Sequence, residues 1–174
     1  MDSDSYSKQQ LDDLFMDMIA YYDGNPKRIQ HFTKVHSYAR LIGIGEELDD
    51  ASLFILEAAA YTHDIGIRVA EEKYGRCDGK LQEQEGPIIA QKMLSQLGFE
   101  NYRVERICFL IGHHHTYDNI DGLDYQILVE ADFLVNLYED DAGNRAIDKA
   151  YKRIFKTETG KKIFRLMFGY EEED

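Results

Sequence analysis

The chain contains few of the residues that interrupt helices or cross-link a fold. Of its 174 residues, two are proline, two are cysteine and none is tryptophan. So few cysteines exclude a disulfide framework and fit a reducing compartment. No apolar run approaches the roughly 18 residues of a membrane-spanning helix, and the N-terminus lacks the basic and apolar parts of a signal peptide. We therefore predict a cytoplasmic protein with no membrane partner.

Basic residues are scarce relative to acidic ones. The chain has 20 Lys and Arg against 33 Asp and Glu, which gives a formal charge of −13. Because binding to a nucleic-acid backbone needs a basic surface, a long nucleic acid is not an expected partner. A small phosphorylated ligand is not excluded, since a bound cation can reverse the local electrostatic field.

The length and the apolar pattern predict one helical domain. A chain of 174 residues that is 44% hydrophobic can bury one core. Apolar residues recur at helical spacing almost throughout, whereas β-branched residues never alternate for long. We predict a single all-α domain over residues 1–174, compact and of about seven to eight helices. Its core spans about 26–140, and helices at 8–22 and within 146–168 pack around it.

Two parts of this domain carry separate expectations. Residues 67–85 are rich in glycine and charge, so we expect a loop or a frayed helix there. A later helix is expected to begin with Pro87 in its first turn. The apolar N-terminal helix could serve a homodimer.

The sequence His63-Asp64-Ile65-Gly66 lies at the end of an apolar helix. Adjacent side chains on a helix point about 100° apart, so they share a partner only where the helix ends. Gly66 is placed to end this one. An imidazole and a carboxylate that converge in an apolar setting are half of a metal site. Alone, however, such a pair is common by chance.

Three further helices place histidine or aspartate on an apolar face. These residues are His31, then His114 with His115, then Asp132. Singly, His31 could be a core histidine bonded to a carbonyl, and the three adjacent histidines could be a solvated tract. Jointly, unpaired polar groups in one core would be costly, and a shared metal removes that cost. Imidazole and carboxylate ligands without thiolates suit one or two divalent ions of Fe, Mn or Zn, with Mg as an alternative.

Two neighbouring polar residues are predicted to take no part in this set. His36 is turned well away from the apolar face of its helix, and Glu130 points away from the face that carries Asp132. We expect both side chains to be in solvent.

The ordered set H…HD…HH…D resembles the HD superfamily of metal-dependent phosphohydrolases, and HDIG at 63–66 is one of its usual spellings. The resemblance covers about residues 29–138 and implies a metal site in the centre of the helical bundle. It implies that one metal is held by His31, His63, Asp64 and Asp132. It also implies that Asp64 bridges to a second metal bound by His114 and His115, and that Asp64 is catalytic, fixing the metals and accepting a proton from the attacking water.

The chain departs from the family pattern at two places. Glu85 stands where binuclear members often have a histidine, so it could be a further ligand or could simply favour a helix N-terminus. The family often has lysine directly after HDIG, where this chain has Ile67. Arg68, Lys73 and Lys34 could contact a substrate phosphate instead, and the alternative is that they are surface cations.

The resemblance implies hydrolysis of a phosphomonoester or phosphoanhydride in a small, nucleotide-like substrate, by attack of a metal-bound hydroxide on phosphorus. Three alternatives stay open. The chain could be a metal- or nucleotide-binding regulatory module with little turnover, or a di-iron oxygenase of the same superfamily. It could also be a helical interaction protein whose histidines are coincidental.

Overall fold

A computed structural model describes residues 3–171 of the chain, with the side chains of residues 7–171. Within that part the backbone forms helices and no strand, which confirms the predicted all-α class. The helices are α1 (Ser3–Tyr21), α2 (Pro26–Gly45), α3 (Asp50–Thr62), α4 (Gly66–Tyr74), α5 (Gly79–Gln96), α6 (Asn101–Ile111), α7 (Leu123–Glu139), α8 (Asn144–Ile154) and α9 (Glu158–Phe168). None of these helices is long and apolar enough to cross a lipid bilayer.

Side-chain caps fix where several helices begin. Asn25, Asp49, Asp78 and Thr157 each accept a hydrogen bond from the backbone N–H three residues further on. Such caps satisfy one of the free N–H groups of a first helical turn. Pro26 follows its cap directly, where the missing N–H costs nothing.

Helices α2, α3 and α7 all pack against one another. Helix α2 packs against α3 and α7, α3 also packs against α6, and α5 packs between α4 and α6. Helix α1 lies on α3, where it buries Leu14 and Met18 completely, while α8 and α9 pack on α7. One contiguous apolar core joins these elements among the described residues.

The stretch predicted to be a loop or frayed helix is instead ordered as α4 and the start of α5. Helix α5 begins at Gly79 behind the cap of Asp78, so Pro87 lies inside it rather than in its first turn. Both expectations were wrong because the cap at Asp78 and packing against neighbouring helices outweigh the low helix propensity of the glycines. With α4, the described part of the chain has nine helices, one more than the upper end of the predicted seven to eight.

Gly66 does not end α3, as the sequence suggested, but begins α4. Its role is close approach, since a Cβ atom there would lie 2.6 Å from the carbonyl oxygen of Gln82 and 2.8 Å from the backbone nitrogen of Gly86. Helices α4 and α5 therefore meet backbone to backbone directly after the His63–Asp64 pair.

The predictions of solvent-facing positions for Glu130 and His36 were wrong. Glu130 is completely buried, and its carboxylate accepts hydrogen bonds from the backbone N–H groups of Lys156 and Thr157. The start of α9 folds back over this face of α7, which local spacing cannot reveal. His36 lies 2.9 Å from a carboxylate oxygen of Glu57 and stacks on the Tyr61 ring at 3.9 Å, because α3 covers that side of α2.

Candidate metal centre

Four separate parts of the fold bring histidine and aspartate side chains to one buried point. We call this group the His–Asp cluster, and its members are His31 from α2, His63 and Asp64 from the turn after α3, His114 from the turn after α6, and Asp132 from α7. Their exposed fractions are 8% or less. Helix α3 ends at Thr62, so the backbone turns and the two adjacent side chains converge.

The ring Nε2 atoms face the two carboxylates at short distances. Nε2 of His31 lies 3.3 Å from Oδ1 of Asp132 and 3.4 Å from Oδ2 of Asp64. Nε2 of His63 lies 3.4 Å from Asp132 and 3.6 Å from Asp64. Nε2 of His114 lies 3.5 Å from Oδ1 of Asp64. Three imidazoles and two carboxylates therefore share one small volume.

Backbone carbonyls set the tautomers of two of these histidines. Nδ1 of His63 is 2.9 Å from the carbonyl oxygen of Ala60, and Nδ1 of His114 is 2.7 Å from that of Ile111. A carbonyl oxygen only accepts, so each Nδ1 must carry the proton and donate it. The lone pair of each ring is then on Nε2, which points into the cluster as a metal ligand requires.

Two buried atoms of the cluster have no hydrogen-bond partner among the described residues. They are Nε2 of His114 and Oδ1 of Asp132. Nε2 of His31 and Nε2 of His63 lie 3.3 and 3.4 Å from Oδ1 of Asp132, but neither contact is a hydrogen bond. An unpaired buried polar atom costs about 1–3 kcal/mol, and a bound cation beside each atom would remove that cost.

The facing Nε2 atoms of His31 and His63 form a contact in which a metal can take the place of a proton. They lie 3.2 Å apart, a distance at which two lone pairs repel unless a proton or a cation lies between them. The donor set of imidazole nitrogen and carboxylate oxygen fits divalent Fe, Mn or Zn.

The charges in the cluster are strongly coupled. Burial opposes the protonation of His31, but its contact with Asp132 and the charge of Asp64 outweigh burial and raise its pKa to about 9. Burial also acts to raise the pKa values of Asp64 and Asp132, but the neighbouring imidazoles hold both well below the usual range. A site that stabilises protons in this way also attracts a metal cation.

His115 lies beside the cluster in a second group. Asp64, His114 and His115 can each offer one ligand atom, and these three atoms lie within 4.8 Å of one another. The same is true of His31, His63 and Asp64. Asp64 belongs to both groups, which is the position that a bridging ligand requires.

The ring of His115 is oriented by Gln82. Its Nε2 lies 2.9 Å from Oε1 of Gln82, and the amide nitrogen of Gln82 donates to the carbonyl oxygen of Cys77. Nε2 of His115 therefore carries the proton, and its lone pair is on Nδ1. Burial, together with the charge of His114, lowers the pKa of His115 to about 4, so the ring is neutral at pH 7.

Glu85 lies in neither group of possible ligands found in the described part of the chain. Its carboxylate lies 2.6 Å from Nζ of Lys73, and it accepts hydrogen bonds from the Tyr74 hydroxyl and the Gln84 amide. Lys73, which was predicted to contact a substrate phosphate, therefore forms an ion pair with Glu85.

The other two predicted phosphate contacts also have protein partners. Arg68 donates to the carbonyl oxygen of Tyr21 and to the carboxylate of Glu72. Nζ of Lys34 lies 2.6 Å from a carboxylate oxygen of Glu139.

Three functional candidates were missed in the sequence. The first is Arg28, whose guanidinium nitrogens lie 3.9 Å from Oδ2 of Asp64 and 3.8 Å from Glu71. The second is Glu139, whose Oε2 lies 3.0 Å from Nδ1 of His31. Helical spacing could have found both, since Arg28 is one turn before His31 and Glu139 is two turns after Asp132.

The third is the tyrosine pair at the end of α1. The Tyr22 hydroxyl donates to the carbonyl oxygen of Asp64 at 2.7 Å, and the Tyr21 hydroxyl donates to that of Ile65 at 3.1 Å. No local pattern signals these contacts, because they join residues more than 40 positions apart.

Comparison with known proteins agrees with this geometry. A family model described as HD domain matches residues 28–154, which include every residue of the His–Asp cluster. A crystal structure of a predicted HD superfamily hydrolase from an uncultured Thermotogales bacterium is 28% identical and covers 93% of this chain and 84% of its own, with a TM-score of 0.63. No curated protein matches this chain. The chain belongs to the HD domain family.

Proposed function

We propose that this protein is a metal-dependent phosphohydrolase that acts on a small, nucleotide-like phosphorylated substrate. The proposal is carried by one observation: the His–Asp cluster is buried, its Nε2 atoms point inward, and two of its atoms have no hydrogen-bond partner in the part of the chain that the structure describes. The structural neighbour described as a predicted hydrolase of the same superfamily supports the hydrolytic part of the proposal.

Two sets of residues would hold metal. His31, His63, Asp64 and Asp132 form the first set, and Asp64 with His114 and His115 forms the second. A bound divalent metal supplies a lowered pKa for a water ligand and polarisation of a phosphoryl oxygen.

Asp64 is the proposed catalytic carboxylate. It is the residue common to both sets, and it remains ionised because the surrounding imidazoles hold its pKa well below the usual range. An ionised carboxylate at this position can orient the attacking water and accept its proton.

Arg28 is the best-placed cation for a substrate phosphate. Its side chain is 27% exposed and its guanidinium already faces the carboxylates of Asp64 and Glu71. A planar guanidinium can bind two phosphoryl oxygens at once and stabilise the charge that develops there. Lys34, Arg68 and Lys73 stay predictions, each now held by a protein partner.

The experiment combines metal analysis with phosphate release on the same samples. Wild type is compared with Asp64→Ala and His114→Ala, and each is assayed against a nucleotide panel with added Mn²⁺. His113→Ala is the matched control, since its ring stacks on Phe109 outside the cluster. We expect near-stoichiometric metal and phosphate release in wild type and control, and loss of both in the other two variants. Metal binding without any hydrolysis would contradict the proposal.

A further inference from the structure

The carboxylate of Glu139 lies between His31 and Lys34 and contacts both. Oε2 is 3.0 Å from Nδ1 of His31, and Oε1 is 2.6 Å from Nζ of Lys34. The side chain of Glu139 is 14% exposed and that of Lys34 is 35% exposed. One oxygen is committed to each partner, so the carboxylate cannot rotate without loss of a contact.

The position of His31 in the fold explains why it needs such a partner. His63 and His114 follow helix ends, where the carbonyl groups of the last turn are free to accept from Nδ1. His31 lies inside α2, where the backbone carbonyls bond to N–H groups within the helix. The acceptor for its Nδ1 instead comes from another helix, where α7 supplies Glu139.

Lys34 holds this acceptor in place. Its ammonium group lies 2.6 Å from Oε1 of Glu139, which leaves Oε2 to face Nδ1 of His31. An ionised carboxylate accepts from Nδ1 more strongly than a neutral acid does. The contact keeps the proton of His31 on Nδ1 and leaves Nε2 facing His63 and Asp132.

We propose that Glu139 is a positioning residue that fixes the ring and tautomer of His31 for metal binding, and that Lys34 holds Glu139 in place. The inference rests on the metal site of the proposed function. It gives Lys34 a role other than the phosphate contact expected from the sequence. Partners of this kind, one step removed from a metal, typically change metal affinity by about 10- to 100-fold when they are removed.

The first test is the Mn²⁺ dissociation constant, measured by isothermal titration calorimetry. We compare wild type with Glu139→Ala, Glu139→Gln and Lys34→Met. Lys152→Met is the matched control, because Lys152 forms a similar 2.7 Å ion pair with Asp148 on α8, away from the cluster.

We expect Glu139→Ala to weaken Mn²⁺ binding by roughly 10- to 100-fold. Glu139→Gln should lose less, because an amide oxygen can still accept from Nδ1. Lys34→Met should weaken binding severalfold, and Lys152→Met should not change it. If Glu139→Ala fails to fold, the positioning role is tested by the Mn²⁺ dissociation constants of Glu139→Gln and Lys34→Met, each compared with that of the control Lys152→Met.

The second test reads the tautomer directly. Nitrogen-15 NMR of protein labelled at histidine and loaded with Zn²⁺ distinguishes a protonated Nδ1 from a protonated Nε2. We expect the His31 proton on Nδ1 in wild type, and a shifted or exchange-broadened Nδ1 signal in Glu139→Ala. The signals of His63 should not move, because its acceptor is a backbone carbonyl.

The outcomes separate the two claims. If wild type binds Mn²⁺ and both Glu139 variants bind it equally well, the positioning role is wrong while the metal site stands. If Lys34→Met affects only the KM for a phosphorylated substrate, Lys34 is a phosphate contact and its holding role is wrong. If wild type binds metal but hydrolyses nothing, the proposed function fails while the role of Glu139 is still decided by affinity. A wild type that binds no metal overturns both.

Discussion

At the scale of single residues, the second ring nitrogen of each histidine decides what the first can do. His63, His114 and His31 each direct Nε2 inward because Nδ1 has an acceptor. In His115 the roles of the two nitrogens are reversed, since Nε2 donates to Oε1 of Gln82 and the lone pair is on Nδ1. We therefore expect His31, His63 and His114 to bind a metal through Nε2, and His115 to bind one through Nδ1.

Replacement of Arg28 tests the proposed phosphate contact. We expect Arg28→Met to raise the KM for phosphorylated substrates about tenfold or more, because a charge-assisted pair is typically worth about 1.5–3 kcal/mol. Arg40→Met is the matched control and should leave KM unchanged, since Arg40 pairs with Glu57 and belongs to neither set of metal ligands. Steady-state kinetics provide the measurement, and equal effects in the two variants would contradict the assignment.

Metal affinity should increase with pH. In the metal-free protein the pKa of His31 is raised to about 9, so its ring is protonated at pH 7 and a metal must displace that proton. The affinity for Mn²⁺ should therefore rise from pH 6.5 towards 9 and level off above it. Titrations at constant ionic strength measure this, and an affinity that falls over that range would show that the sign is wrong.

At the scale of helices, the sequence predicted the elements that carry the site better than those that support it. Local periodicity alone places His31 and Asp132 on the apolar faces of α2 and α7, and both side chains are buried. Helix α4 and the burial of Glu130 could not be predicted, because each depends on packing against a distant part of the chain. No single apolar face predicted the full set of metal ligands. The resemblance of the ordered pattern H…HD…HH…D to a known family did.

Gly66 tests the close approach of α4 to α5. Alanine there would place Cβ 2.6 Å from a backbone oxygen, which cannot move aside as a flexible side chain could. We expect Gly66→Ala to destabilise the fold by about 1–3 kcal/mol or more. Gly143→Ala is the control, because a Cβ there meets nothing within 4 Å. Urea unfolding measures both, and equal stability would refute the packing argument.

The hydroxyl of Tyr22 tests the link between α1 and the metal motif. Tyr22→Phe leaves the carbonyl oxygen of Asp64 without its 2.7 Å donor, which should cost about 1–3 kcal/mol because the pair is buried. Tyr102→Phe, on an exposed ring, should cost much less. Thermal unfolding of the metal-free proteins compares them, and an unchanged Tyr22→Phe would mean that α1 does not support this turn.

At the scale of the whole molecule, folding and metal binding should be coupled. The raised pKa of His31, about 9 against 6.5 for a free histidine, stabilises the metal-free fold below pH 6.5. That contribution is lost as pH rises through 9. Metal-loaded protein should lack this loss and should unfold at a higher temperature, since a ligand that binds only the native state stabilises it. Calorimetric scans with and without a chelator test this, and identical scans would contradict it.

Anomalous diffraction from crystals grown with Mn²⁺ or Zn²⁺ would show where a metal binds. We expect a strong peak among the inward-facing atoms of His31, His63, Asp64 and Asp132. A further peak beside His114 and His115 would add the second ion of the binuclear form. Strong peaks elsewhere, with none at the His–Asp cluster, would contradict the claim that this buried group is a metal centre.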